Sequence, residues 1–337
     1  MAGSGTTHLR GDALLRVIDL HVEFPGRGKS VVHAVSGVSF DLQAGETLGI
    51  VGESGCGKST TGRAVMQLEQ VASGSVTING EYLTQATGEL LRRRRRPIQM
   101  IFQDPVSSLN PSRRVRDIVR EGLRIWGAKP GDHEDRVREV MESVGLGGDD
   151  VGERRPHEFS GGQCQRICIA RALVMDPEVM ILDEPVSALD VSVQAQILNL
   201  LEQLKATFGL TMIFICHDLA LVKNISDRVM VMYLGKVCEV AESDLLYAGP
   251  AHPYSRALLA SIPGHTLDLP PADELIRGEL PSPIDPPSGC RFRTRCPSAT
   301  ELCATDEPVV RELQQGHFVA CHYPVGHEHL HVRSNGA

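Results

Sequence analysis

Two short runs of residues have the types and spacing to do chemistry on a nucleotide. The first is Gly52-Glu-Ser54-Gly55-Cys56-Gly57-Lys58-Ser59-Thr60, which fits G-x-x-x-x-G-K-[ST] in full. Glycines let successive backbone N–H groups turn toward phosphate oxygens, and a helix opening at the lysine adds the positive end of its dipole. In such a loop Lys58 reaches the β- and γ-phosphates and the Ser59 hydroxyl ligates Mg²⁺. The second run is Val179-Met-Ile-Leu-Asp183-Glu184, an apolar strand ending in two carboxylates. Ligands of α/β sheets gather at the carboxyl ends of strands. Asp183 is placed to hold Mg²⁺, directly or through water, and Glu184 to orient and polarise an attacking water.

The elements around these runs are the ones such a site needs. Residues 47–51 read as a short apolar strand and 58–68 as a helix, so the glycine-rich run lies between strand and helix. Partial alternation over 14–24 and 35–42 predicts half-buried strands, and turn signals at Ser73-Gly74 and Asn79-Gly80 bracket another at 75–78. Residues 105–175 are mostly helical. Strands at 179–182, 210–216 and 228–234 then alternate with helices at 191–208 and 219–225. That alternation predicts an α/β fold with a parallel sheet covered on both faces. Beyond Pro250 the proline density rises, marking a linker and a small irregular tail.

Four further segments complete a resemblance. Phe159-Ser160-Gly161-Gly162-Gln163 is similar to the signature loop of ABC ATPases, with Phe in place of the usual Leu. Gln103, in Ile101-Phe-Gln-Asp-Pro105, resembles their Q-loop, Ser187-Ala-Leu-Asp190 their D-loop, and His217 their switch histidine. All stand in the family's order over about residues 14–240. The resemblance implies an ABC-type P-loop ATPase core with a helical subdomain at about 104–175. It implies that Gln103 senses Mg²⁺ and the attacking water and that His217 bonds the γ-phosphate. It also implies that two ATPase domains pair head-to-tail, so that Ser160, Gly161, Gly162, Gln163 and Asp190 serve a nucleotide held by the partner. The family stacks adenine on an aromatic after the first strand; Phe24 is the best match, although 25–32 looks like a small insertion, and a core or edge role is an equal alternative.

More local segments narrow the family. Residues 98–105 with Ser108-Leu-Asn-Pro111, residues 156–166, His252-Pro-Tyr-Ser-Arg-Ala-Leu258 and Gly278-Glu-Leu-Pro-Ser-Pro283 resemble oligopeptide and dipeptide importers, and most of all the second of their two ATPase subunit types. Nickel importers and microcin-type peptide importers are near relatives. The division implied is a nucleotide-binding domain over 1–250 and an importer-type extension over 251–337. The implied partners are two transmembrane permease subunits, a second ATPase subunit (a paralogue, or a copy of this chain) and an extracytoplasmic substrate-binding protein. The implied location is the cytoplasmic face of a membrane, held peripherally. The alternatives are an importer ATPase for nickel or another small solute, and a soluble ABC ATPase outside transport.

Composition sets the outer bounds. The 337 residues are 42% hydrophobic and 23% charged, which excludes disorder as the main state. A net charge of −8 disfavours a nucleic-acid coat, so the five arginines Arg92–Arg96 read first as a solvated surface. No run of 18 apolar residues and no apolar leader is visible, which predicts a cytoplasmic chain. The nine cysteines, an odd total in a chain with no visible secretory signal, argue against a disulfide framework. Four fall late: Cys290, Cys296, Cys303 and Cys321. They lack the short C-x2–4-C pairs of structural zinc. Four thiolates without such a pair suit an iron–sulfur cluster, and the importer resemblance implies a 4Fe–4S cluster; zinc and free thiols are the alternatives. Cys56, Cys164, Cys168 and Cys216 read as small buried side chains. His327, His329 and His331 read as a frayed tail rather than a metal site.

Overall fold

The structure is a computed structural model that describes residues 5–127, 130–148, 150–264, 267 and 269–326, with the backbone alone at 130–132. The three tail histidines lie outside the described residues. The chain forms two compact units, one of residues 1–43, 47–86 and 216–337, the other of 44–46 and 87–215.

In the first unit, Leu15–Pro25, Val31–Leu42, Ser73–Ile78 and Glu81–Tyr82 form a four-stranded antiparallel sheet. The sequence alternation suggested only separate strands there. Residues 26–30 close a tight turn through Gly26 N–H to Ser30 O (2.8 Å), too short for the crossover a parallel pair requires. The imperfect alternation of the first strand has a local cause. Asp19 sits at φ 49°, the register slips between Val17 and Leu20, and both of those residues stay buried although three apart.

The same unit pairs Thr47–Val51 in parallel with Arg228–Tyr233. Lys236–Glu242 returns antiparallel to the latter, and His317–Val319 and Arg311–Gln314 extend that edge. The irregular tail expected beyond residue 250 is therefore partly a sheet edge. Its aromatic Phe292 is 2% exposed and packs edge-on against Tyr233, with centroids 5.2 Å apart. The tail thus shares a core instead of building its own.

In the second unit, Ile98–Ile101, Val179–Asp183 and Thr211–Ile215 are parallel neighbours. The last two are buried throughout, which explains their unbroken apolar runs. Helices Val115–Ile125, Pro130–Ser143 and Gly161–Leu173 pack together as the helical part, with Val191–Phe208 following the carboxylate strand.

The helix expected over 58–68 ends at Val65. Gln67 adopts φ 54°, Leu68 N–H bonds Arg63 O and Gln67 N–H bonds Ala64 O, a Schellman closure without glycine. The arginine run is less solvated than its composition suggests. Arg92 and Arg96 both lie over the ring of Trp126, at 4.6 and 5.3 Å from its centroid.

Candidate nucleotide site

The glycine-rich run folds as a loop between the buried strand Thr47–Val51 and the helix Lys58–Val65. Two of its glycines are required by space as well as by torsion. Gly57 has φ 99°, and a Cβ there would strike the carbonyl oxygen of Ala34. Gly52 has φ 151°, and a Cβ would strike the Met232 carbonyl oxygen and Cys56 Sγ. The backbone of 34 and 232–235 thus forms a wall against which the loop is pressed; Gly235 N–H bonds Cys56 O at 2.8 Å.

Lys58 is 4% exposed and donates from Nζ to the Gly52 carbonyl (2.7 Å) and the Glu53 carbonyl (3.1 Å). Its ammonium is held along the inside of the loop. The N-cap residue of this helix, Gly57, has no side chain to cap it, and the positive end of the helix dipole lies at the loop. Cys56 is fully buried, and burial raises its thiol pKa, in keeping with a packing role. His217, in the same unit, is exposed just after Cys216, whose N–H bonds Ile50 O. Phe24 is half-buried near the end of its strand, paired with Val32.

In the second unit, Asp183 is 1% exposed at the end of its strand and Glu184 follows at φ 48°. A non-glycine residue in this region stores backbone strain, a common property of functional positions. Glu184 N–H bonds Ile215 O, which fixes the backbone, and Gln103 Nε2 donates to Glu184 Oε2 at 2.9 Å. The structure therefore brings together the two residues read separately as Q-loop glutamine and water-orienting carboxylate.

The Ser160–Gln163 segment opens the helix Gly161–Leu173 with a reciprocal capping box. Gln163 N–H donates to Ser160 Oγ (3.3 Å) and Ser160 N–H to Gln163 Oε1 (3.0 Å). The serine hydroxyl, expected to face outward, already accepts one bond, but its own proton remains available to an acceptor. Ser160, Gly161 and Gln163 are exposed. A Cβ on Gly162 would meet Val193, so this loop packs on the helix that Asp190 begins.

All nine cysteines are free. Burial, with Cys303 and Cys296 beside it, pushes the Cys290 thiol up to about 11; burial, with Cys290, Cys296 and Cys303 nearby, pushes Cys321 up to about 12. The four late thiols therefore share one neighbourhood. Among the described residues, however, no group of three or more His, Cys, Asp or Glu is gathered so as to hold a metal ion, which supports neither the iron–sulfur expectation nor the zinc alternative.

Sequence reasoning missed the residues that brace the loop from the C-terminal side. Tyr254 Oη accepts the Glu53 N–H (2.8 Å), and Arg295 Nη1 pairs with Glu53 Oε2 (2.7 Å). Glu239, fully buried, accepts from the Ala251 and His252 N–H groups and lies 2.6 Å from His317 Nε2. Partners up to 242 residues apart leave no local pattern to read.

Among the described residues no helix is long and apolar enough to cross a membrane. A family model described as ABC transporter matches residues 35–187, and one described as the C-terminal region of oligopeptide/dipeptide transporters matches 238–303. YkfD of Bacillus subtilis, named as an oligopeptide transport ATP-binding protein, is 52% identical over 92% of this chain and 95% of its own length. The oligopeptide transport ATP-binding protein OppF of Salmonella typhimurium is 50% identical over 91% of this chain and 95% of its own. A solved dimeric structure of the ATP-binding cassette MJ0796, with ADP and Pi, aligns with TM-score 0.61 at 25% identity over 68% of this chain and 98% of its own. The loop geometry, the braced carboxylate and these likenesses agree: the chain belongs to the ATP-binding subunits of ABC transporters, in the group that carries the oligopeptide/dipeptide transporter C-terminal region.

Proposed function

We propose that this chain hydrolyses ATP to drive import of oligopeptides or dipeptides through membrane subunits that it docks to from the cytoplasmic face. The observation that carries the chemistry is the Gln103–Glu184 hydrogen bond on a strained backbone. It holds a carboxylate half-buried and oriented, as a group that aligns water must be. In this reading the backbone and side chains of Gly52, Ser54, Gly55, Cys56, Gly57, Lys58, Ser59 and Thr60 take the phosphates, with Phe24 as the adenine platform. Ser59, Gln103 and Asp183 would hold Mg²⁺, which would neutralise phosphate charge. His217 bonds the γ-phosphate.

Ser160, Gly161, Gly162, Gln163 and Asp190 then act on ATP held by a second ATPase subunit, a paralogue or a second copy. The dimeric state of the solved MJ0796 cassette supports this arrangement. Peptide as cargo rests on the names of YkfD and OppF and on the C-terminal match. Residues 1–250 are assigned to the nucleotide-binding domain and 251–337 to the extension. Two permease subunits and an external binding protein complete the machine. Isolation of the chain from membranes, with its neighbours identified by mass spectrometry, tests the reading. Permease subunits and a peptide-binding protein are expected; ribosomal or nickel-binding partners would overturn it.

Cys290, Cys296, Cys303 and Cys321 are also proposed to hold an iron–sulfur cluster. A cluster spreads its thiolates over several irons, so they need not converge on one point as they must around zinc. Their shared neighbourhood and lack of disulfides support this. Anaerobic purification should give brown protein with about four irons per chain. Colourless, iron-free protein would remove the proposal.

A further inference from the structure

The phosphate loop is held at Glu53 by two side chains from far along the chain, and neither belongs to the motif. The backbone N–H of Glu53 is donated to the phenol oxygen of Tyr254 and its carboxylate is paired with Arg295. Tyr254 is fully buried, and burial keeps its phenol far above the usual range, so it presents a neutral acceptor. The Arg295 side chain is only 10% exposed. Burial is the largest single influence and opposes its charge, but the interactions with Glu53 and Tyr233 together outweigh it and its pKa is raised.

Both residues belong to one packed block. Tyr254 and Phe292 have ring centroids 5.4 Å apart, and Arg295 N–H bonds Phe292 O in the turn between Cys290 and Cys296. Glu53 in turn supports the motif from inside, since its carbonyl accepts from Lys58 Nζ and from Cys56 N–H.

We propose that Tyr254 and Arg295 are positioning residues for the phosphate loop, through which the C-terminal region sets the affinity for ATP phosphates. The proposal rests on the reading of this loop as the ATP cradle. A displaced Glu53 carries the Lys58 ammonium and the Cys56 amide with it, and anion recognition by preset N–H groups depends on their direction. Neither side chain needs to touch the nucleotide.

The test uses the full chain. Affinity for a fluorescent MgATP analogue, steady-state ATPase kinetics and melting temperature are compared for wild type, R295M, R295K, Y254F and K58A. R295M and Y254F should weaken MgATP about three- to tenfold, the range expected for losing one partly buried charged or neutral hydrogen bond. The loss should fall on KM, with kcat within about twofold, and R295K should recover most of it. Unchanged KM with a lowered melting temperature in R295M and Y254F would make the contacts merely structural and overturn the proposal. So would equal losses in R295K and R295M. If R295M fails to fold, Y254F and R295K decide alone. Wild type that binds no MgATP, or K58A that binds it as well as wild type, would refute the ATP reading itself and the proposal with it.

Discussion

Acidification should loosen the support of the phosphate loop through one histidine. His252 is 2% exposed, and its Nδ1 accepts the Tyr254 N–H at 3.0 Å, which requires a neutral ring with the proton on Nε2. Burial lowers its pKa from 6.5 to about 4, although Glu239 pulls the other way. The folded pKa lies below the unfolded one, so the unfolded chain takes the proton first. The contribution to stability is full above the unfolded value and is lost as pH falls through the window between 6.5 and about 4. At about 1.4 kcal/mol per pKa unit, going from pH 7 to pH 5 should cost about 2 kcal/mol. Hydrogen exchange of the peptide containing Tyr254, corrected for the intrinsic pH dependence, reads this locally. Protection should drop about twentyfold over that interval if opening exposes His252. His252→Gln, which cannot titrate, should be less protected at pH 7 but lose most of this pH dependence. Equal pH dependence in wild type and variant would show that His252 does not carry the linkage.

Other substitutions probe the site directly. Glu184→Gln should abolish turnover while sparing MgATP binding; activity within about tenfold of wild type, or about 1.4 kcal/mol of barrier, would refute the assignment. Gly57→Ala should lose MgATP binding more than tenfold, because a Cβ meets the Ala34 carbonyl at φ 99° and the strain amounts to about 1–3 kcal/mol; an affinity like wild type's would show that the loop can move away. Ser160→Arg should impair hydrolysis by the assembled complex yet leave MgATP affinity of the separate chain intact, at a cost of about 1 kcal/mol for the lost cap; a loss of affinity as severe as that of Lys58→Ala would rule out the head-to-tail arrangement.

Much of this was legible because the key features are local. The loop announces itself through glycines that must take positive φ, and the carboxylate strand through an apolar run that is buried on both faces. The D-loop helix Val191–Phe208 matches its expected bounds because Asp190 precedes it and Gly209, at φ 65°, ends it. What escaped depended on distance or on left-handed torsions taken by residues other than glycine. Gln67 ends a helix without being glycine, and Asp19 bulges a strand whose sequence shows only a partial alternation. The Tyr254 and Arg295 contacts with Glu53 span 201 and 242 residues. The capping box at Ser160 is legible in the sequence as S-x-x-Q, since both of its partners lie within one helical turn.

The central claim is that ATP hydrolysis by this chain powers peptide uptake, and peptide transport into proteoliposomes tests it most directly. The chain would be assembled with the permease subunits isolated with it, and ATP placed on its side of the membrane with peptide and binding protein on the other. The account predicts ATP-dependent accumulation of peptide that is lost with Glu184→Gln while MgATP binding persists. Accumulation undiminished by Glu184→Gln, or ATP hydrolysis that proceeds without moving any peptide, would contradict it.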